Sequence, residues 1–514
     1  MRLRVRALGL ESGGKPIVVL NKDDAEDLGI LSQSRVRMGF HGKELTAIVN
    51  TTRKTVEKGV VGVFEEVRSY LGLEEDVEVE VNVAGAPKSL HYIREKLSGR
   101  KLTSDEIMEI VSDVVKGNLS EIEISAFVTA LHNLGLDLDE ATSLSMAMVK
   151  TGDSLKLDSS LVVDKHSVGG VPGDKTTLLV IPILAACGLT IPKTSSRAIT
   201  SAAGTADRAE VLMPVGLSID EMRRVVEKTN GCLVWGGALY LAPADDIFLQ
   251  VEHPLSIDPL LLPSIMSKKK AVGANVIVID IPCGRGTKVK TIGEANFLAK
   301  DFIELGKRLD MLVQCAITYG EQPVGYAIGP ALEAREALAT LMNQIPSTDI
   351  VNKATHIAGI LLEMTGIQDG QQIALDVLRS GKAEKKLREI IGEQGGDPEI
   401  RPGDIKVGSR TLEVHSQHAG RVLWVDNARL VEAARAAGAP KDRGAGVMLH
   451  RKLSDRVKEK EKLLTVYAER MDKLSRAKEI LEEGPALAVG ERMEMLIQEV
   501  KEVPVPIKLF ILER

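Results

Sequence analysis

The sequence predicts a multidomain α/β protein, with a β-rich domain at the N-terminus and an α+β domain at the C-terminus. Helical periodicity without strands runs through residues 88–152, and strand and helix patterns then alternate from about residue 156 onward. Alternation of this kind is typical of a parallel sheet with helices on both faces. Strand patterns dominate the first 85 residues, and a mixed pattern returns after Pro402-Gly403-Asp404.

The composition of the 514-residue chain is that of an ordinary globular protein, with 44% hydrophobic and 27% charged residues. The length suggests roughly three domains. The net charge of −6 gives no support to nucleic-acid binding. No uncharged apolar run approaches the roughly 20 residues of a membrane helix, and the N-terminus lacks the apolar core of a signal peptide. The four cysteines are far apart in sequence, which favours reduced thiols and a cytoplasmic location.

Residues 1–84 form the predicted N-terminal β-rich domain. Residues 16–20 are a short apolar strand, after which Asn21 is suited to cap a helix that ends at Gly29. Residues 76–83 alternate valine with polar side chains, which predicts a strand with one buried face. The sequence AGAP that follows is typical of a linker.

The helical domain is predicted to consist of residues 88–152 and 245–270. Thr103 and Ser120 each stand three residues before a glutamate and open an apolar-periodic run, which is the pattern of a capping box. Residues 245–270 also have a helical pattern and interrupt the alternation of strands and helices. We therefore expect them to pack with the earlier helices.

The α/β domain is predicted to consist of residues 155–244 and 271–402. Apolar runs predict its strands at 161–163, 189–192, 276–281 and 311–317. The run 176–187 is apolar on all sides, as expected for a buried helix. A capping box at Ser218 opens a further helix, which we expect to end at Gly231.

The C-terminal α+β domain is predicted to span residues 408–514. Its strands are expected at 411–414, 420–425 and 463–466, with helices between them. The charged stretch 471–500 is predicted to be helical. The apolar stretch 503–512 is a candidate for an interface strand.

A glycine-rich stretch between a predicted strand and a predicted helix is the first candidate functional element. Residues 164–177 read DKHSVGGVPGDKTT. The glycines allow the backbone to approach an anion closely, and the following helix N-terminus supplies free N–H groups and a positive dipole. Lys165 adds a charge, and Ser167 and Thr177 add hydroxyl donors. Phosphate is the simplest ligand for this set; the spacing is not that of a Walker loop, and a plain tight turn is the alternative.

The second candidate element also follows a strand. Residues 194–207 read TSSRAITSAAGTAD, which combines hydroxyl groups, small residues and one arginine. Such a set suits contacts with phosphate and ribose. Taken alone it is equally typical of a polar loop with helix caps, but beside the glycine-rich loop it favours an anion site.

The two loops, followed by SIMSKK at residues 264–269, resemble the thymidine/pyrimidine-nucleoside phosphorylase family over residues from about 88 to about 470. The resemblance implies the type II nucleoside phosphorylase fold, in which a helical domain accompanies an α/β domain. Within the family the chain is most similar to the archaeal AMP phosphorylases. That subgroup shares Pro172 in the glycine-rich loop, the sequence SSRAI at 195–199, and an N-terminal domain that resembles the double-psi barrels of AAA-type ATPases.

The resemblance implies phosphorolysis of nucleoside 5′-monophosphates. AMP and phosphate would give adenine and α-D-ribose 1,5-bisphosphate, and CMP and UMP are expected as further substrates. Inorganic phosphate would be a co-substrate, with no metal and no other cofactor. We also expect a homodimer or a larger homo-oligomer, and no nucleic-acid or membrane partner.

By the same resemblance, Asp258 corresponds to the proton donor to the base, and His166 is the second candidate because its ordinary pKa lies near neutrality. A carboxyl donates a proton near neutral pH only when burial raises its pKa, so we expect Asp258 in a closed cleft between the helical and α/β domains. Lys288 and Arg285 stand in another glycine-rich turn after a strand and are expected at the 5′-phosphate. The residues expected to bind AMP or phosphate are Lys165, Ser167, Gly170, Thr177, Ser195, Ser196, Arg197, Ala198, Ile199, Thr200, Ser201, Thr205, Ser264, Lys268 and Lys288.

Three other functions stay open on the sequence alone. A pyrimidine nucleoside phosphorylase is the nearest rival, but thymidine phosphorylases hold the base with an arginine where residues 249–253 read LQVEH. A phosphoribosyltransferase similar to the anthranilate enzyme would need a pyrophosphate and Mg²⁺ site, and no carboxylate cluster in the sequence supplies one. An assembly protein would leave the two phosphate-type loops unexplained. The pair His415 and His418 has no nearby partner for a metal.

Overall fold

The computed structural model describes residues 1–198, 201–346 and 348–491. An N-terminal barrel, a group of helices, an α/β layer structure and a C-terminal pair of sheets follow one another along the chain. No helix within the described ranges is both long and apolar enough to cross a membrane.

The N-terminal domain is a closed six-stranded barrel with two short helices. Its elements are β1 (Arg2–Ala7), β2 (Ile17–Asn21), α1 (Lys22–Asp27), β3 (Arg35–Phe40), β4 (Lys43–Thr52), β5 (Val60–Val63), α2 (Glu65–Leu71) and β6 (Glu78–Val83). The strand order is β1-β5-β2-β4-β3-β6, with β1–β5 and β2–β4 parallel. Alternate side chains such as Val18, Val36 and Val81 fill the interior. As predicted, Asn21 caps α1 and accepts from the Asp23 N–H at 3.0 Å.

Four helices follow the barrel. They are α3 (Lys88–Leu97), α4 (Ser104–Val115), α5 (Glu121–Leu134) and α6 (Leu138–Lys150). Both predicted capping boxes are confirmed: the Thr103 and Ser120 hydroxyls accept from the N–H groups of Glu106 and Glu123, whose carboxylates accept in return from the cap residues. These bonds satisfy N–H groups that a helix start leaves unpaired.

The α/β region contains parallel strands and the helices that cover them. Its elements are β7 (Val163–Ser167), α7 (Thr176–Ala186), β8 (Ile191–Ser195), α8 (Thr205–Ala209), α9 (Ile219–Thr229), β9 (Gly231–Trp235), α10 (Pro243–Leu255), α11 (Leu261–Ala271), β10 (Val276–Cys283), α12 (Ile292–Arg308), β11 (Leu312–Tyr319), β12 (Ala327–Ile328), α13 (Pro330–Leu341), α14 (Thr348–Met364), α15 (Gly370–Arg379) and α16 (Lys382–Glu393). Short 3₁₀ turns lie at Gly236–Ala238 and Pro402–Asp404. Helix α9 ends at Thr229 and is capped by Asn230, whose φ of 63° is left-handed, so Gly231 begins β9 rather than ending the helix as predicted.

The parallel strands form one continuous layer. Strand β10 pairs with both β7 and β11, and β8 pairs with β9. A bridge between Val162 and Thr190 joins the two groups, and the Val163 N–H donates to the Thr190 carbonyl at 2.9 Å. The order is therefore β11-β10-β7-β8-β9, with all carboxyl ends at one edge. In open parallel sheets this is the edge where ligands bind.

Strands β7 and β8 lie further along the chain than their apolar runs predicted. Strand β7 was expected at 161–163, but it includes Lys165 and Ser167, and β8 was expected to end at residue 192 but continues to Ser195. The parallel pairing of β7 with β10 gives these polar residues a strand backbone, while ion pairs compensate the buried charges. Apolar patterning therefore misplaces a strand whose buried side chains are charged.

Two apolar cores cover the faces of this sheet. Helix α7 packs on one face together with α14, α15 and α16, and its apolar residues are buried, as predicted. Helices α9, α11 and α12 contribute to the core on the other face. As predicted for residues 245–270, α10 packs on α4 and α5, and α11 packs on α6. The helices α3–α6, α10 and α11 are called the helical lobe below.

The C-terminal part contains two small antiparallel sheets. Its elements are β13 (Arg410–His415), β14 (Gly420–Val425), α17 (Asn427–Ala436), β15 (Gly446–Leu449), β16 (Arg456–Val457), β17 (Lys462–Ala468), α18 (Met471–Glu482) and β18 (Leu487–Gly490). The sheet orders are β12-β15-β17-β13 and β16-β14-β18, so the α/β region contributes one strand, β12, to the first.

The helix predicted for residues 471–500 is wrong for residues 483–491, because helix α18 ends at Glu482; residues 492–500 lie outside the described residues. The helix ends at this point because Gly484 and Pro485 follow, and proline disfavours a helical residue before it. The next residues form β18, which pairs with β14. The apolar stretch 503–512 lies outside the described residues.

Candidate active site

The loops after β7, β8 and β10 lie at the carboxyl edge of the sheet, and the first and third are in contact. Gly170 has a φ of 93°, and a Cβ placed on it would lie 2.6 Å from the backbone N of Lys288. Only glycine combines this conformation with so close an approach. Arg208 on α8 donates to the Asp174 carbonyl, which links the second loop to the first.

Lys165 provides a buried positive charge at this edge. Its Nζ donates to the Thr177 Oγ1 at 3.2 Å, and no carboxylate of the described residues forms an ion pair with it. Burial lowers the pKa of Lys165, and the more distant carboxylates of Asp174 and Asp280 oppose this effect. Since an ammonium group has three donors, Lys165 keeps bonding capacity for an anion.

Ser167 and Ser195 are the last residues of β7 and β8. The Ser167 hydroxyl is buried and has no hydrogen-bond partner among the described residues. The Ser195 hydroxyl makes one long contact, to the Val234 carbonyl at 3.5 Å. A buried hydroxyl without a partner is uncommon and marks a position where a ligand or water supplies the bond. Thr205, the first residue of α8, is partly buried and adds a further hydroxyl near the second loop.

A buried cluster of one carboxylate and two lysines lies on the other face of β7. Asp164 contacts Lys193 at 3.3 Å and Lys269 at 2.7 Å. Burial favours the neutral acid, but the two lysines outweigh it and hold the pKa of Asp164 below its ordinary value. Burial lowers the pKa of Lys193 well below its ordinary value. No motif indicated Lys193; its only signal is a charge inside an apolar strand.

His166 lies among these lysines, and this changes its expected role. Partial burial lowers its pKa well below the ordinary 6.5, and the charges of Lys269, Lys193 and Lys165 lower it further. His166 was the second candidate for the proton donor because of its ordinary pKa, and this lowering of its pKa disfavours that role. A neutral imidazole that resists protonation is a poor proton donor to a leaving base.

Further ion pairs support the glycine-rich loop. Lys353 on α14 contacts Asp174 at 2.9 Å and Asp280 at 2.8 Å. Burial opposes the charge of Lys353, but the two carboxylates outweigh it and raise the pKa. Arg208 contacts the buried Glu333 at 3.0 Å. These buried ion pairs join the loop to α13 and α14, and the sequence contained no local signal for them.

Acidic residues in and just after α8 organise the second loop. Arg197 forms a two-armed ion pair with Glu210, at 2.6 and 2.8 Å, and lies 4.7 Å from the centroid of the Trp235 ring. The Asp207 carboxylate accepts from the Ala198 N–H at 2.7 Å. Arg197 is thus paired within the protein, and its position favours a role in shaping the loop.

The remaining residues expected in this loop differ in their surroundings. Ser196 and Ser201 are exposed, and the Ser201 hydroxyl donates to the Ala203 carbonyl at 3.3 Å. Ile199 and Thr200 lie outside the described residues. The expected contacts of these four residues with phosphate or ribose therefore stay predictions.

Asp258 lies in the loop between α10 and α11, in the helical lobe. Its side chain is 43% exposed, and its Oδ2 is 3.1 Å from the Nζ of Lys288. The expectation of a closed cleft around Asp258 is contradicted, because the carboxyl reaches solvent and forms an ion pair instead. Since Lys288 belongs to the loop after β10, this pair connects the helical lobe with the α/β layer.

The other residues expected at the nucleotide lie on α11 and in the loop after β10. Ser264 is partly buried on α11. Lys268 contacts the buried Asp245 at 2.6 Å; burial opposes its charge, but the acidic neighbours outweigh it and raise the pKa of Lys268. Arg285 is exposed and contacts Glu321 at 3.6 Å. Lys268 and Arg285 are therefore both paired within the protein.

Glu252 is a residue of this region that no motif indicated. It lies on α10 and is only 2% exposed, and its Oε1 accepts from the Leu260 N–H at 3.2 Å. Burial, followed by the field of the Asp258 carboxylate, raises the pKa of Glu252 to about 7. A carboxyl that titrates near neutrality beside the expected proton donor is a candidate for proton transfer.

Three family models match consecutive parts of the chain. Residues 90–152 match the glycosyl transferase family, helical bundle domain, and residues 159–384 match the glycosyl transferase family, a/b domain. Residues 422–487 match the pyrimidine nucleoside phosphorylase C-terminal domain. The crystal structure of anthranilate phosphoribosyltransferase from Thermus thermophilus is similar with a TM-score of 0.50 and 17% identity, covering 59% of this chain and 98% of that chain. The fold and the phosphate-type site thus define a glycosyl transferase with a helical bundle and an a/b domain.

Curated relatives narrow this class. The AMP phosphorylase of Thermofilum pendens is 50% identical over 506 residues, which is 98% of each chain. The AMP phosphorylase of Thermococcus kodakarensis is 49% identical over 93% of this chain and 95% of its own, and that of Methanococcoides burtonii is 47% identical over 98% of this chain and 100% of its own. The chain belongs to the AMP phosphorylase family.

Proposed function

We propose that this chain is a pentosyltransferase that splits AMP with inorganic phosphate, giving adenine and α-D-ribose 1,5-bisphosphate. The observation that carries the proposal is the buried Lys165 ammonium together with the unpartnered Ser167 hydroxyl at the glycine-rich loop. The two residues are two apart on β7 and so lie on the same face of the sheet. A charge and a free donor at this position suit a phosphate ion.

Lys165, Ser167 and the backbone of the glycine-rich loop hold the attacking phosphate in this proposal. Thr177, Ser195 and Thr205 add hydroxyl groups. As the bond from a phosphate oxygen to C1′ forms, the bond from C1′ to the base breaks, and its electron pair goes to the base. Hydrogen phosphate loses one proton and adenine gains one, so the reaction is balanced. A single displacement inverts C1′ and gives the α-product.

Asp258 delivers the proton to the base, and Lys288 binds the 5′-phosphate. The two roles are linked, because Asp258 and Lys288 form an ion pair with each other. This ion pair has to open before either residue can act on the substrate. A dianionic 5′-phosphate competes with the carboxylate for the Lys288 ammonium, whereas a nucleoside has no such group. Binding of a nucleotide therefore frees Asp258.

CMP and UMP are proposed as further substrates. The alternative of a pyrimidine nucleoside phosphorylase is not favoured, because the relatives of highest coverage given above are AMP phosphorylases. The homodimer or larger homo-oligomer, the cytoplasmic location and the absence of a metal or organic cofactor stay predictions.

The experiment that tests the proposal measures base release by chromatography. AMP, CMP, UMP, adenosine, uridine and thymidine are each incubated with the enzyme, with and without phosphate. We expect base release from the nucleotides only when phosphate is present. Release from nucleosides at a higher rate than from nucleotides would contradict the proposal.

Substitution of Lys288 tests its role at the 5′-phosphate. In Lys288→Ala, loss of a charge-assisted contact lowers kcat/KM for AMP by about 100-fold, while the small activity on adenosine changes less than about threefold. Lys290→Ala is the matched control, because Lys290 is exposed in the same loop. Equal losses on AMP and adenosine would rule out a specific contact with the 5′-phosphate.

A further inference from the structure

The buried Glu252 carboxyl binds the backbone of the loop that carries Asp258. Its Oε1 accepts from the N–H of Leu260, two residues beyond Asp258. Its Oε2 is buried and has no hydrogen-bond partner among the described residues. One oxygen therefore positions the loop, and the other is available to carry a proton.

More negative than positive groups act on the Glu252 carboxyl. Asp258 from the following loop and Asp245 from the same helix raise its pKa, as does burial, and Lys288 from the α/β layer lowers it. The helices α4 and α5, packed against α10, contribute apolar side chains to the shared core, such as Ile110 and Phe127. Lys288 is therefore the group that opposes the raised pKa of Glu252, and the same lysine forms the ion pair with Asp258.

We propose that Glu252 is a positioning residue for protonation of the leaving base, and that it shares one proton with Asp258 when the substrate 5′-phosphate draws Lys288 away. This inference rests on the proposed function. With Lys288 in place, Asp258 is a carboxylate with a cation beside it. Without Lys288, the carboxyls of Glu252 and Asp258 lose the cation that acts on both, and two carboxyl groups that repel each other in this way retain a proton that a single carboxylate would lose.

The proton path then has defined ends. The proton passes from the pair through Asp258 to a ring nitrogen of the base as the glycosidic bond breaks. Hydrogen phosphate releases one proton when it forms its bond to C1′. This proton replaces the one that the pair has given to the base. Glu252 itself needs no contact with the substrate.

The test is the pH dependence of kcat and KM for AMP at saturating phosphate, measured from about pH 5.5 to about pH 9. Glu252→Gln keeps the size of the side chain, and its amide oxygen still accepts from Leu260. It removes the second ionisable group. Asp301→Asn is the control, because burial also raises the pKa of Asp301, which lies on α12 outside the site.

In the wild type we expect kcat to fall as the pH rises above neutrality, where the pair loses its shared proton. In Glu252→Gln the second carboxyl of the pair is absent and no proton can be shared, so the fall moves to lower pH by about one unit or more. At pH 8, kcat is then about tenfold lower than in the wild type, with KM changed less than about threefold. Glu252→Asp restores part of this loss, and Asp301→Asn leaves the profile unchanged.

An unshifted kcat profile in Glu252→Gln would overturn this inference, as would a loss that is equal at every pH. An enzyme that releases no base from AMP would overturn the proposed function and this inference together. An enzyme active on AMP with an unshifted Glu252→Gln profile would overturn only the role of Glu252.

Discussion

Buried lysines of this protein differ in the partners that compensate their charge. Lys353 lies between two carboxylates, and its pKa is raised. Lys193 shares the single carboxylate of Asp164 with a second lysine, and burial lowers its pKa. Lys165 has a hydroxyl partner and no ion pair among the described residues. The least compensated of these cations lies at the glycine-rich loop, which is where a phosphate would complete its surroundings.

Glu252 makes the stability of the protein depend on pH. Its pKa of about 7 in the folded state lies above the ordinary 4.5, so the folded state binds the proton more tightly than the unfolded state. Its favourable contribution is full below about pH 4.5 and is lost as the pH rises through about 7. The difference between the two pKa values corresponds to a change of roughly 3 to 4 kcal/mol at most in the free energy of unfolding.

Glu252→Gln removes this dependence because the amide does not ionise. We expect its urea midpoint to exceed that of the wild type at pH 8 and to match it closely at pH 5. Equal differences at the two pH values would show that Glu252 does not titrate in this range.

The site is assembled by loops that secondary-structure elements hold in place. The glycine-rich loop is supported by Lys353 from α14 and by Arg208 from α8. The loop after β10 touches it at Gly170, and the loop after α10 reaches Lys288 through Asp258. Each contact joins segments that are far apart in sequence. We therefore expect a displacement of one loop to displace the loop that it contacts.

Gly170→Ala tests the contact between two of these loops. The added Cβ would lie 2.6 Å from the Lys288 N and 2.9 Å from the Thr287 Cα, so the loop after β10 has to move. Gly169→Ala is a matched control, since Gly169 has a similar φ of 90° but no atom within 4 Å of its Cβ position. Both variants carry backbone strain of about 1 kcal/mol.

We expect kcat/KM for AMP to fall about tenfold further in Gly170→Ala than in Gly169→Ala, because Lys288 is displaced. Similar kinetics in the two variants would show that the strain alone matters and that the loops move freely.

The sequence allowed the prediction of elements that carry a local signal. The capping boxes at Thr103 and Ser120 and the apolar helix α7 are examples, and so is the placement of the glycine-rich loop between a strand and a helix. Lys193 and Glu252 were missed, because their charge states depend on partners supplied by packing. The strand β7 was misplaced for the same reason, since its buried charges are compensated by residues far along the chain.

At the scale of the whole molecule, the N-terminal barrel is attached to the helical lobe by charged contacts. The Arg35 guanidinium donates to the Asn118 carbonyl at 2.7 Å and pairs with Glu123, and both charged side chains are mostly buried. Lys15 pairs with Glu121 nearby, but that pair is exposed. A partly buried charge pair contributes more to such an interface than an exposed one.

Arg35→Ala is therefore expected to weaken the free energy of association between the barrel and the helical lobe by about 2 kcal/mol. The substitution removes a charge-assisted bond and leaves Glu123 without its cation. The measurement is the rate of limited proteolysis in the linker at residues 84–87, where Gly85 and Ala86 are exposed, and we expect this rate to rise about tenfold or more. Lys15→Ala is the matched control and changes the rate less than about threefold. If the two variants are cleaved at the same rate, Arg35 does not hold the barrel against the helical lobe.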